Sequence, residues 1–177
     1  EYRLTPWHND PVSDSSGEAL YLRDEETGDV WSPTPLPVRG KGDYLTRHGF
    51  GYSTFEHTEY GISSTLTVFV AEEAPVRISL LTLSNLSGKT RNLSITGYVE
   101  WVLGELASRS ARHVVTSPAA IATGSAVLAR NFYNSTGSAR TAFFAVTGTR
   151  IAYSGNRLEC LGRNGTTRQP AMMNVRG

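Results

Sequence analysis

ISSTLTVFVAEEAPVRISLLTLSNLSGKTRNLSITGYVEWVL, residues 62–103, decides the fold. It holds three strand-length segments joined by two turn signals and predicts a three-stranded antiparallel meander. In the first segment Ile62, Leu66, Val68 and Val70 fall on one face and Thr65, Thr67 and Phe69 on the other, the period of two of a half-buried strand. The second places Val76, Ile78 and Leu80 on one face and Leu81 and Leu83 on the other, which predicts a central strand covered on both sides. In the third, Leu93, Ile95, Val99, Trp101 and Leu103 alternate with Ser94, Thr96, Tyr98 and Glu100, so Ile95, Val99 and Trp101 are expected in the core. Gly97 interrupts that pattern as a bulge or a close backbone approach would. Residues 72–75 and 85–91 carry the Pro, Gly, Asn and Ser that turns select.

Outward from this stretch, residues 1–16 lack any period and read as an irregular segment laid across a sheet, anchored by Trp7. Residues 19–22 and 30–32 flank DEETGD, a hairpin turn with Gly28 free to take a positive φ. Trp31 then points either into the core or out to a ligand. SPTPLP, residues 32–37, has three prolines in six residues and stiffens an edge or crossover. Residues 44–48 and 52–59 bracket Gly49 and Gly51 as a second hairpin. Beyond Leu103 the period breaks. ELASRSAR, residues 105–112, lacks an apolar stripe and reads as one or two helical turns or a loop. Strand-like patches resume at residues 114–116, 121–123, 126–131 and 139–147, separated by Pro118, Gly124 and the turn NSTGS at residues 134–138. The tail from Ile151 has one weak strand, residues 157–161. Many short strands and almost no helix predict an all-β antiparallel sandwich in one domain over residues 1–177.

Composition narrows the chemistry. Net charge is +1, so no long-range field recommends nucleic acid or an anionic membrane. The tail sets Arg157, Arg163, Arg168 and Arg176 against Glu159, but no aromatic after Tyr153 offers a stacking platform, so no nucleic-acid partner is expected. Cys160 is the single cysteine, which excludes an internal disulfide and suits a reducing compartment. It sits in LECLG with no neighbouring histidine to activate it and reads as an inert thiol. No apolar run of 18 residues and no signal peptide occur in this sequence. Sequons at Asn85, Asn92, Asn134 and Asn164 carry no weight in a chain rich in Ser and Thr.

Several constellations compete for the chemistry. His8, His48, His57 and His113 never form HxH or HExxH, so no metal is expected. His48, Glu56, His57 and Glu100 are the cast for a mutarotase-like acid and base pair, although their spacing does not make them converge. A glycosidase pair of carboxylates needs two acids across one cleft, and most of the acids here sit in turn strings such as DEETGD. Sugar contact without catalysis uses aromatic faces and planar polar side chains, for which Trp7, Trp31, Arg130, Asn131, Arg163 and Asn164 qualify by type. Trp101 shares a face with Val99 and Leu103 and belongs to the core.

LTLSNLSGKTRNLSITGYVEW at residues 81–101 resembles the N-terminal β-sandwich domain of the cellobiose phosphorylase-like glycoside hydrolase family 94, most closely the homologous C-terminal region of cyclic β-1,2-glucan synthases. RLTPWHNDPVSDSSGEALYLRDEETGDVWSPTPLPV (3–38), RHGFGYSTFEH (47–57), LARN (128–131) and YSGNRLECLGRNGTTRQPA (153–171) follow in the family's order. The resemblance implies a supersandwich of the galactose mutarotase-like kind, excised from a longer chain whose earlier part and downstream (α/α)6 barrel are not included. It implies a non-catalytic supporting and substrate-rim domain of an inverting glycoside phosphorylase or cyclic glucan synthase. The partners it implies are an oligosaccharide or β-glucan through the parent enzyme, the catalytic barrel in cis, and a second copy in a homodimer. No cofactor is expected beyond inorganic phosphate as the parent's co-substrate. The location implied is cytoplasmic, at the cytoplasmic side of the inner membrane for a glucan synthase parent. Residues 104–113 occupy the place of the family's variable rim loop, which adds Arg109 and Arg112 to the sugar-binding candidates. The competing readings are a free-standing carbohydrate-binding module and a mutarotase-like epimerase.

Overall fold

Glycine punctuation builds the hairpins. Gly28, with φ +80°, closes the turn between β1 (Glu18–Asp24) and β2 (Val30–Trp31), where Leu22 pairs with Trp31. Gly51, also at φ +80°, closes β3 (Tyr44–Gly49) onto β4 (Tyr52–Glu59). Both hairpins stand where the turn residues predict them, because only glycine takes these dihedrals without a Cβ penalty. A computed structural model describes residues 2–7, 9–10, 12, 16–133, 140–148 and 152–174. Our readings for His8, the turn at residues 134–138 with its sequon, Ala139, Ile151 and Arg176 lie outside them.

Among the described residues three antiparallel sheets form, ordered β3-β4-β5-β6, β2-β1-β7 and β10-β9-β8, with β5 at Ile62–Val70, β6 at Arg77–Asn85 and β7 at Leu93–Val99. The third contains β8 (Val114–Ile121), β9 (Gly124–Asn131) and β10 (Ala142–Thr147). Among the described residues helix is confined to single turns, α1 at Ala107–Ser110, α2 at Arg157–Leu161, and 3-10 turns at Ala111–His113 and Ala171–Asn174. The all-β expectation holds.

The chain divides into two compact units. One comprises Glu1–Glu18, Tyr98–Thr166 and Pro170–Met172, the other Ala19–Gly97, Thr167–Gln169 and Met173–Gly177. In the second unit, β5 alternates as predicted, with Ile62, Ser64 and Leu66 buried. Leu22, Trp31 and Ile62 form the core, and Leu81, Leu83 and Leu93 pack against it. Residues from both sheets of this unit therefore meet across one apolar layer, as packed sheets require.

The meander needs correcting. β5 and β6 pair as expected, from Ile62↔Asn85 to Val70↔Arg77, but β7 joins β1 instead of β6. The cause is an ionic tie. Asp24, fully buried, accepts from the Glu26 and Thr27 amides at 2.8 and 3.3 Å, and from Arg91 Nε at 2.7 Å and Arg91 Nη2. Arg91 Nη1 also donates to the Tyr60 carbonyl at 2.7 Å, and the Glu25 amide to Asn92 O at 2.9 Å. The residues leading into β7 are thus held beside the β1–β2 turn. β6 ends its sheet and is largely exposed, so it is an edge strand and not the covered central one predicted.

The third segment's faces also differ from expectation. Ile95 is 55% exposed, Val99 and Trp101 are only half-buried, and Tyr98 on the other face is buried. Alternation marks two faces without saying which is covered. Pairing also stops at Val99, so Val102 and Leu103 are buried outside any strand, Leu103 at φ +45°.

In the first unit, β8 runs through Pro118, which we expected to interrupt it, and of the separate strand expected at residues 121–123 Ile121 ends β8 while residues 122–123 form the turn into β9. β8 is an edge strand, where a proline's missing N–H can face away from the ladder without loss. The strand predicted at residues 157–161 is α2. Asn156 caps it by accepting from Leu158 N at 2.9 Å, and Gly162 at φ +87° ends it. Trp7 is 63% exposed with the Arg3 guanidinium over its ring, so it does not anchor the lead-in; backbone bonds between Arg3 and Gly104 and from Val102 N to Leu4 O do.

Candidate functional site

The loop after β7 is built from its two ends. Arg3 and Gly104 exchange backbone hydrogen bonds at 2.8 and 3.2 Å, which fixes the start. α1 then makes one turn, with Arg109 N and Ser110 N donating to Leu106 O, and the 3-10 turn leads into β8. Arg109 and Arg112 are exposed on this stretch, three residues apart and so on neighbouring helical positions. Their cationic heads face solvent. His113 stacks on Tyr133 with ring centroids 4.3 Å apart.

The other sugar candidates sit differently. Trp31 has no exposed surface and meets Tyr60 edge-on at 5.5 Å, so it leaves no face for a sugar. Asn131 is also fully buried; its Nδ2 donates to Leu103 O at 3.1 Å and Ser110 O at 3.3 Å, and its Oδ1 accepts from Tyr133 N at 3.0 Å. Those bonds hold backbone, which removes it from direct ligand contact. Arg130 is exposed beside it, with Nε donating to Thr141 Oγ1 at 2.7 Å. Trp7, Arg163 and Asn164 are exposed, the last two in the loop after α2. Arg109, Arg112, Arg130, Arg163, Asn164 and Trp7 all belong to the first unit.

The acid and base cast is spent on structure. His57 is 3% exposed, stacks on Tyr44 at 3.7 Å, lies 3.0 Å from Asp43 O through Nδ1, and sets Nε2 3.2 Å from Glu59 Oε2. Glu59 Oε2 accepts from the Lys41 and Gly42 amides at 2.7 and 3.0 Å. This cluster fastens residues 39–43 onto β4. Burial, ahead of the Glu59 charge, pushes the Tyr44 hydroxyl above its ordinary value and keeps it protonated, and it donates to Ser32 O at 3.1 Å. Glu56 neighbours His57 in sequence, so it projects from the opposite face of β4, and it pairs with Arg47. His48 meets Ser53 Oγ at 2.8 Å. Glu100, in the first unit, accepts from the Tyr98 hydroxyl at 3.1 Å and lies 3.7 Å from Arg157 Nε. Burial and the Glu100 carboxylate push the Tyr98 hydroxyl far above its ordinary value. Burial and Glu159 push the Cys160 thiol up, which suits its reading as inert.

An open depression of about 350 Å³ is lined by Asp43, Glu56, His57, Thr58, Ser63 and Thr65, without an aromatic face for a sugar. Among the described residues no group of three His, Cys, Asp or Glu could hold a metal ion, and no helix is long and apolar enough to cross a membrane. Sequence reading missed Asp24, Arg91, Tyr44 and Glu59 as organising residues. Asp24 opens the DEETGD turn, a position where Asp side chains hold backbone amides, and that signal was available.

Comparison with known proteins supplies what geometry alone does not. Over 166 residues the chain is 38% identical to the cyclic beta-(1,2)-glucan synthase NdvB of Rhizobium meliloti (strain 1021), covering 93% of this chain and 6% of that protein. It is 36% identical over 114 residues to the N,N'-diacetylchitobiose phosphorylase of Vibrio furnissii, covering 63% of this chain and 14% of that one. Against the solabiose phosphorylase of Paenibacillus borealis it is 40% identical over 85 residues, or 48% of this chain and 11% of that one. The chain thus spans under a sixth of the length of these relatives. The family described as Glycosyl hydrolase 94, supersandwich domain, matches residues 1–176, and with antiparallel sheets throughout, this chain belongs to that family.

Proposed function

We propose that this domain supports and rims the active site of a glycoside phosphorylase-like or cyclic β-1,2-glucan synthase-type enzyme and is not itself catalytic. One observation carries the reading. The loop of residues 104–113 presents Arg109 and Arg112 to solvent from a stretch pinned at both ends, whereas the buried or paired acids and histidines are committed to structure. Guanidinium forks suit hydroxyl-rich ligands, and Arg130 extends the same chemistry on β9. Phosphorolysis needs an acid, a phosphate pocket and a sugar cleft held together, which a helical barrel in cis would supply. Inorganic phosphate enters as the parent's co-substrate and β-glucan or an oligosaccharide as its ligand. A homodimer contact and a cytoplasmic location complete the reading.

Rim contacts bury little of a sugar, so the expected affinity is millimolar at best, about 4 kcal/mol. The test incubates the purified chain with β-1,2-glucan or cellobiose and phosphate and assays glucose 1-phosphate. No turnover is expected. Turnover that survives repeated purification, and is lost on replacing Glu56 or Glu100, overturns the supporting role and restores a catalytic one.

A further inference from the structure

Residues 104–113 leave the fold after Leu103 and return at Val114, and a single residue, through its side chain and its backbone, meets both ends. Asn131 donates to Leu103 O and Ser110 O, accepts from Tyr133 N, and pairs through its backbone with Val114 in the β8–β9 register. Its amide therefore spends both donors and its acceptor on backbone. Leu103, 1% exposed, sits at φ +45°, a conformation a non-glycine residue keeps only when its surroundings dictate it. Within the loop the helical turn is four residues long and has no side-chain cap. So short a helix does not hold itself together, and the loop's shape has to come from outside it.

We propose that Asn131 is the positioning residue of this loop, presetting Arg109 and Arg112 as a pair of guanidiniums for the hydroxyls of a glucan chain. The inference rests on the rim reading above. A pair fixed in advance avoids the ordering entropy that a loose loop would lose on binding.

Trypsin reads the loop directly, since Arg109 and Arg112 are both exposed cleavage sites. Asn131→Asp keeps the shape and the acceptor but loses both donors. With the clamp removed, initial cleavage after Arg109 and Arg112 is expected to rise at least tenfold, while cleavage after Arg47 and Lys89 stays constant. Equal cleavage in parent and variant overturns the positioning role. Should the variant unfold, the parent decides the matter. Its Asn131 side-chain amide protons are expected to exchange at least a hundredfold more slowly than those of free asparagine, and exchange at the free rate overturns the proposal. Titration with β-1,2-glucan separates this inference from the reading beneath it. Binding by the parent that falls threefold or more in Asn131→Asp supports both. Absence of binding by the parent, with the cleavage difference intact, removes the rim reading and leaves the clamp standing.

Discussion

Two buried polar residues tie distant stretches of chain together, one in each unit, and they do so with different chemistry. Asp24 in the second unit is ionised and grips Arg91 and two turn amides, while Asn131 in the first is neutral and grips carbonyls and one amide. Burial pushes the Asp24 carboxyl up, but the Glu26 amide, the Arg91 guanidinium and the Thr27 amide outweigh it and hold the group below its usual range. A charged tie directs topology strongly because its partner cannot be left alone in the interior. A neutral tie can shape a loop at little risk to the rest.

The largest effect should come from breaking the charged tie on one side only. Arg91→Met leaves Asp24 buried without its counter-charge and is expected to lose about 3–5 kcal/mol, read as a lower midpoint in urea. Acid probes the same contact. Because the folded pKa of Asp24 lies below its unfolded value of about 3.9, its contribution is present above that value and drains away as pH falls through the folded pKa. Melting temperatures measured from pH 6 down to pH 2 should therefore fall more steeply in the parent than in an Asp24→Asn, Arg91→Met double variant; parallel curves would mean that folding does not shift the Asp24 carboxyl.

Asn131→Ala is expected to be milder, about 1–3 kcal/mol for backbone groups left unsatisfied. Loss of protection confined to amides of residues 104–113 in hydrogen exchange would mark it as a local clamp. A loss as large as that of Arg91→Met would erase the distinction between the two ties. The smallest effect is predicted at Ile95, which is more than half exposed. Ile95→Thr should shift stability by no more than about 0.5 kcal/mol in thermal melts, whereas a cost above 2 kcal/mol would place Ile95 in a core.

Local signals carried much of this fold. The turns at Gly28 and Gly51 were legible because glycine's freedom is a property of one residue, and β5 was legible because its alternation spans nine positions. The partner of β7 was not, since pairing depends on a contact between Asp24 and Arg91, 67 residues apart, that no periodicity encodes. α2 escaped because five residues show no helical period; its signals were Asn156 and Gly162 at the ends. At the site, Arg109 and Arg112 could be found from the place of their loop in the resemblance. The roles of Trp31 and Asn131 could not, because residue type says what a side chain can bond and burial decides what it does.

The unequal sheet edges bear on how the isolated chain behaves at high concentration. Pro118 removes one donor from the free edge of β8, so a further strand adding there would meet a gap in its ladder. β6 has no such gap. Its nine residues contain no proline and a single charge, Arg77, and Ile78 and Leu80 stand exposed along it. An edge of that length without a proline is a template for strand addition, so fibrillar or edge-to-edge assembly should begin at residues 77–85 and not at residues 114–121. A lysine in place of Leu80 is the change that would keep concentrated solutions clear.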